Sequence, residues 1–265
     1  MRGRVSLCAA GLLLVTLPLA AQEAPRRELP GWAPRWKVGT WWVVTTWQRD
    51  TRARLRSPGP AEGAEPVTPE LEGSEPLPGY PPLRDGIPVG YKPGNQFRFE
   101  VARREKVRYP DDAPGTPPEE FWVVRVATEE GEPKRTAELW YTAADLSLAK
   151  VVIDPAGQAR EHALHGTALL AVPASQELGF PLDWPDLPAT VAERAVIPVE
   201  GRPAVEQKAR KVGAGKEETW QLRLAPEGGD PAVKPVSLEW KKGEPFWSRF
   251  ASGEFVGRLD AAGTK

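Results

Sequence analysis

From residue 37 onward the chain alternates apolar and polar positions with a period of two, the pattern of half-buried β-strands. The run "VGTWWVVTTW" (38–47) is rich in Thr, Val and Trp, which favour a pleated surface. As a strand it puts Trp41, Val43, Thr45 and Trp47 on one face and Trp42, Val44 and Thr46 on the other. Beyond residue 96, Phe97, Phe99 and Val101 alternate with Arg98, Glu100 and Ala102. Trp122, Val124 and Val126 share a face in the next run. After an "EEGEPK" turn, Leu139 and Tyr141 oppose Glu138 and Trp140. Residues 146–154 read as a strand ending in a "DPAG" turn, with "QAREHALHG" as its strand partner. Residues 167–179 are the helix candidate, with Pro173 able to stand in a first turn. Residues 193–198 and 204–212, "EETWQLRLA", "KPVSLEWKKG" and "FWSRFASGEFVGRL" supply further strands. The short turns favour antiparallel neighbours. The expected fold is mainly β: a curved antiparallel meander forming an incomplete barrel, a half-barrel, with one or two short helices.

Two segments break the alternation. Arg2 and Arg4, the apolar run Leu7–Leu19 and the small pair Ala20-Ala21 form the pattern of a secretory signal peptide, expected at 1–21. Cys8 follows Leu7 and precedes most of that run, which does not suit lipid attachment. From 57 to 93, ten prolines in 37 residues preclude a helix or central strand. That stretch is expected to be an extended or disordered insertion whose far end, with Tyr80, Leu83, Ile87, Val89 and Tyr91, lies on the domain surface. The expected organisation is one β domain of residues 22–56 and 94–265, interrupted by 57–93.

Composition narrows the function. Without residues 1–21 the chain has no cysteine, hence no disulfide, thiolate nucleophile or cysteine-bound metal. Periplasmic or secreted localisation is expected. Removing Arg2 and Arg4 leaves 33 basic against 36 acidic groups, a net charge of −3, and gives no electrostatic reason to expect nucleic acid. No second apolar run is long enough to span a bilayer.

Chemical motifs are sparse. His162 and His165 in "REHALHG" point to opposite faces of a strand and lack a third ligand at a recognised spacing, so no metal is expected. Asp183 and Asp186 flank Trp184 in "FPLDWPDLP", an arrangement that suits either sugar binding or simple turn hydrogen bonds. There is no nucleophile elbow, and "GAGK" (213–216) lacks phosphate-loop spacing. The expected protein is not an enzyme and carries no cofactor.

The eleven tryptophans sharpen the question. Trp41-Trp42, Phe121-Trp122 and Trp140-Tyr141 place rings on both faces of their strands, so two apolar surfaces need cover. The second surface is either packed or a ligand groove.

The run "AELWYTAADLSLAKVVIDPAGQARE" (137–161) resembles the signature hairpin of the periplasmic lipoprotein-carrier superfamily: a strand ending in an aromatic pair, an Asp-bearing turn, an "L-x-L" start and a "D-x-x-G" turn. It is similar also to secreted bacterial domains of unknown function thought to share that half-barrel. The resemblance implies a concave face, capped by helix, that binds acyl chains. Trp41, Phe97, Phe99, Trp122, Val124, Leu139 and Tyr141 are the expected lining. Partners would be a lipid or acyl chain, or an envelope protein. The alternatives are a carbohydrate- or peptidoglycan-binding module, or a structural part of an envelope assembly with 57–93 as its contact arm.

Overall fold

The computed structural model describes residues 34–50, 77–110, 113–131, 133–144, 146–163, 172–182, 194–197, 205–212, 218–226 and 235–265. The expected leader 1–21 and residues 57–76 lie outside these. The chain runs β1 (Thr40–Arg49), β2 (Leu83–Arg84), β3 (Ile87–Pro88), β4 (Tyr91–Val107), β5 (Glu119–Glu130), β6 (Thr136–Thr142), β7 (Leu148–Ile153) and β8 (Arg160–Ala163). The one helix among the described residues, α1 (Val172–Leu178), follows. Then come β9 (Arg194–Ile197), β10 (Val205–Val212), β11 (Thr219–Pro226), β12 (Val236–Lys241), β13 (Arg249–Ser252) and β14 (Phe255–Thr264).

Twelve strands form one antiparallel sheet in the order β8-β7-β6-β5-β4-β1-β14-β13-β12-β11-β10-β9, and β2 pairs only with β3. The sheet is not closed: β8 and β9 are its edges. Two meanders, β4–β8 and β9–β14, flank β1, which pairs with β4 on one side and with the last strand β14 on the other. The expected half-open antiparallel meander is therefore the observed fold, with fewer helical residues than strands require for a full lid.

One apolar face runs the width of the sheet. Ile153 of β7, Trp42 of β1 and Ala209 of β10 belong to one continuous buried cluster, together with Ala174, Leu178, Phe180 and Leu182 from the segment after β8. Register shifts at Val43/Val44, Val101/Arg103 and Trp140/Tyr141 add local twist where the sheet bends. Gly257 is required there: a Cβ at this position would overlap the ring of Phe250 on the neighbouring strand.

The outer face carries two smaller apolar clusters. Trp47, Ala251 and Val256 lie under Tyr80 and Tyr91, and Phe121, Val123 and Trp140 pack with Val107 and Val152. Cover for the first comes from the end of the proline-rich segment, as the sequence suggested. That end is more ordered than expected. β2 and β3 form a hairpin whose Asp85-Gly86 turn has both residues at positive φ, the backbone that an Asp-Gly pair tolerates. β4 starts at Tyr91, inside the stretch read as insertion, with Pro93 opposite Trp47.

Candidate functional site

The concave interior is assembled by stacking. The Trp42 ring lies 5.6 Å from Trp36, 5.3 Å from Phe99 and 5.6 Å from Phe246, with planes within 22°. Trp36 is fixed by its indole Nε1–H, which donates to the Pro245 carbonyl at 2.8 Å. Phe180 meets Phe97 and Phe99 edge-on at 5.1 Å and Phe250 at 5.8 Å.

Phe180 reaches this place because of how α1 begins and ends. Pro173 stands in the first turn, where a missing N–H costs nothing. Gly179, at φ 72°, ends the helix and donates to the Ser175 carbonyl at 2.8 Å. The Ser175 hydroxyl then accepts the Leu182 N–H at 2.8 Å, folding the chain back under the helix. Ala174, Leu178, Phe180 and Leu182 are consequently all at most 2% exposed. Glu177 on the outer side of α1 ties the helix to edge strand β8, through Arg160 at 3.1 Å and His162 at 3.5 Å.

The topology gives this plug its meaning. β8 and β9 are the two edges of the sheet, and residues 164–193 connect them. The connection must pass from one edge to the other, and its described part, 172–182, fills the concave face on the way.

Of the expected lining residues, Phe97, Phe99, Val124 and Leu139 lie together in this interior, each at most 1% exposed. Trp122 and Tyr141 are cross-strand neighbours at its rim, half-buried; Arg104 stands 4.9 Å over Trp122, and Tyr141 meets Trp36 edge-on at 5.1 Å. Trp41 does not join them. It lies on the convex face beneath the Arg98 guanidinium, 4.5 Å from the ring centroid, and it is Trp42 that points inward. Alternation separated the two correctly, but which face turned inward depended on Phe99 standing opposite Trp42, a pairing 57 positions apart that β1 alone does not encode. Phe180, Phe246 and Trp36 were not anticipated either. Phe180 stands between Gly179 and Pro181 and Trp36 in the lead-in before β1, where no alternation marks an inward side, and the strand reading of the run that begins at Phe246 did not assign its inward side.

Charge is kept to the convex face and the rim. Among the described residues the buried polar set contains one ionisable side chain, Glu239. Arg249 donates to both its oxygens, one at 2.8 Å, while Ser248 donates at 2.9 Å and Gln221 at 3.3 Å. Burial pushes its carboxyl up, but the hydrogen bonds from Arg249, Ser248 and Gln221 outweigh that and hold it below the usual carboxylate range. Farther along the same face Arg103 makes a two-pronged contact with Glu138 at 2.9 and 3.0 Å, which lowers the Glu138 carboxyl and raises the guanidinium. Tyr80 lies over Arg249, and burial pushes its phenol to about 12.

His162 faces Glu177, and among the described residues no three His, Cys, Asp or Glu side chains could hold a metal ion. No described helix is long and apolar enough to cross a membrane. His165, Asp183, Trp184 and Asp186 lie outside the described residues. Comparison of the chain with family models, curated proteins and solved structures finds no match. What fold and site define together is a single large antiparallel sheet, open at its edges, whose apolar concavity is filled by a segment of its own chain.

Proposed function

We propose that this protein is a non-enzymatic envelope protein that holds a lipid-like ligand in the concave face of its half-barrel, exported by the leader at 1–21 to the periplasm or beyond. The ligand takes the place of the plug formed by α1, Phe180 and Leu182.

The observation that carries this reading is the plug itself. A seven-residue helix is too short to be stable alone, and its order derives from the apolar residues it lays on the sheet. Those contacts are apolar and uncharged, as the contacts of an acyl chain would be. The lining is pre-formed on long strands, so only the plug has to move. The resemblance of 137–161 to lipoprotein carriers supports the same reading.

The test is native mass spectrometry of the full chain purified from its own envelope, together with uptake of a fluorescent acyl probe. A co-purifying lipid, or saturable uptake at one site, is expected. Protein that carries no lipid and takes up no probe would remove the proposal.

A further inference from the structure

The plug is held by charge as well as by apolar contact. Arg160 and His162 of β8 stand opposite Ile153 and Val151 of β7, which are buried in the interior, so both side chains leave the edge strand on its concave side. There they meet Glu177 of α1, Arg160 through Nε at 3.1 Å and His162 through Nε2 at 3.5 Å. A second cation lies at the end of the helix. A Cβ on Gly179 would run into the Arg135 guanidinium and would stand 3.9 Å from the Asn95 side-chain nitrogen. Glu177 and Gly179 are two residues apart, so these groups touch the plug at points no more than about 7 Å from each other.

What sets these groups apart is the fate of their partners. Arg104 and Lys106 pair with Glu120 of the adjacent strand, and Arg103 pairs with Glu138 of β6; those pairs stay whole whatever the plug does. Arg160 and His162 depend on a carboxylate that leaves with α1. Arg135 has no carboxylate partner among the described residues even with the plug in place. The closed contact is also poorly matched: His162 Nε2 and Glu177 Oε2 are buried, and neither makes a hydrogen bond among the described residues. A neutral ligand that displaced α1 would leave these donors facing apolar surface with nothing to receive them, which is unfavourable. An anionic group would supply what Glu177 took away. The plug itself has this composition, a carboxylate at Glu177 followed by the buried Leu178, Phe180 and Leu182.

Resting on the proposed lipid site, we infer that the ligand is an anionic amphiphile, an acyl chain with a carboxylate or phosphate head, and that Arg135, Arg160 and His162 hold the head where Glu177 and Gly179 now lie. The chain takes the course of Phe180 and Leu182 into the concavity. The plug is thus an internal mimic of the ligand, head and tail.

The experiment uses the full chain and three probes of similar length: laurate, dodecyl phosphate and methyl laurate. Affinities are read by displacement of a fluorescent apolar dye. At least one anionic probe should bind about tenfold more tightly than methyl laurate, as expected of charge-assisted hydrogen bonds partly weakened by solvent. Laurate ahead identifies a fatty acid as the class, dodecyl phosphate ahead a phosphate-headed lipid. Arg160 is 60% exposed, so the preference should shrink at high salt. It should vanish in the double variant Arg135→Gln/Arg160→Gln, with methyl laurate bound as in the wild type. Methyl laurate equal to both anions in the wild type, or an anion preference retained in the folded double variant, would overturn the inference while leaving the lipid site standing. If no probe displaces the dye, the site and the inference fall together. Should the double variant not fold, the wild-type salt series decides alone: an anion preference unchanged between low and high salt refutes the assignment.

Discussion

Phe180→Ala separates a plug from an ordinary core. Phe180 is 1% exposed and touches the rings of Phe97, Phe99, Phe246 and Phe250. Removing such a side chain from a fixed core costs about 3–5 kcal/mol, the transfer of the ring plus the cavity left behind. A separable plug responds differently. If α1 and residues 179–182 can lift away from the sheet at a cost of about 2 kcal/mol, the variant loses only that much, because beyond it the open state becomes the folded ground state. The same opening cost leaves about 3% of the wild type competent to bind and weakens apparent affinity about thirtyfold, a penalty the variant escapes. The assay is therefore threefold: guanidinium unfolding, hydrogen exchange at the α1 amides, and dye uptake. The expected outcome is a loss near 2 kcal/mol, α1 amides that exchange without global unfolding, and dye binding up to about thirtyfold tighter. A full loss of about 3–5 kcal/mol, with α1 exchanging only through global unfolding and uptake unchanged, would refute the plug.

Further outcomes follow from contacts elsewhere in the sheet. Glu239→Ala leaves the largely buried Arg249 guanidinium without its partner and should cost up to about 3–5 kcal/mol in chemical denaturation. Because the Glu239 carboxyl is held below its ordinary value of 4.5, its contribution is complete above that pH and is lost as pH falls through the lowered value, so Glu239→Gln should flatten the acid limb of the stability profile. Tyr80→Phe should be close to neutral at pH 7, since the buried hydroxyl has no partner among the described residues. The phenol is raised from 10 to about 12, so the wild type should lose about 2 kcal/mol relative to Tyr80→Phe as pH rises across that window, seen in stability measured at pH 9 and 12. Gly257→Ala, whose new methyl meets the Phe250 ring, should lose about 1–3 kcal/mol, and Phe250→Leu should restore part of it.

Much of the fold can be read from the chain because most strands bury one face. Leu222 and Leu224 between Gln221 and Arg223, or Val124 and Val126 around Arg125, state the strand and its inward side in the same few residues. The "DPAG" turn is likewise local: Asp154 takes φ 52° and its carboxylate accepts the Gln158 N–H. Strand ends fared worse. β4 begins at Tyr91 and passes through Pro93 and Gly94, residues that read as loop. Gly94 is tolerated because it lies where a Cβ would press on the Thr46 backbone. At the other terminus, "DAAGT" has no alternation, yet it continues β14 along β1, since a central strand recruits partners through its backbone whatever their side chains. The site was half legible for the same reason. Its walls, Phe97, Phe99, Val124 and Leu139, lie on alternating strands; its plug and the choice of Trp42 over Trp41 depend on contacts distant in sequence.

That distance is itself informative about how the site works. An open sheet whose edges are consecutive in the chain has to send its connection across the gap, either around the outside or through the concavity. The described part of that connection, residues 172–182, lies on the concave face, and the convex face outside its two small apolar clusters is charged. The convex face is laced with Glu239–Arg249, Arg103–Glu138 and Glu100–Lys265 pairs, on which an apolar segment would strip water from charges. The concave face welcomes the same segment. Residues 172–182 lie against the concave face, and on the proposed reading they compete there with the ligand. On the proposed reading, occupancy of the concavity by a ligand and release of residues 172–182 are two sides of one equilibrium. Every substitution that loosens the plug should accordingly tighten the ligand, by at most the cost of opening.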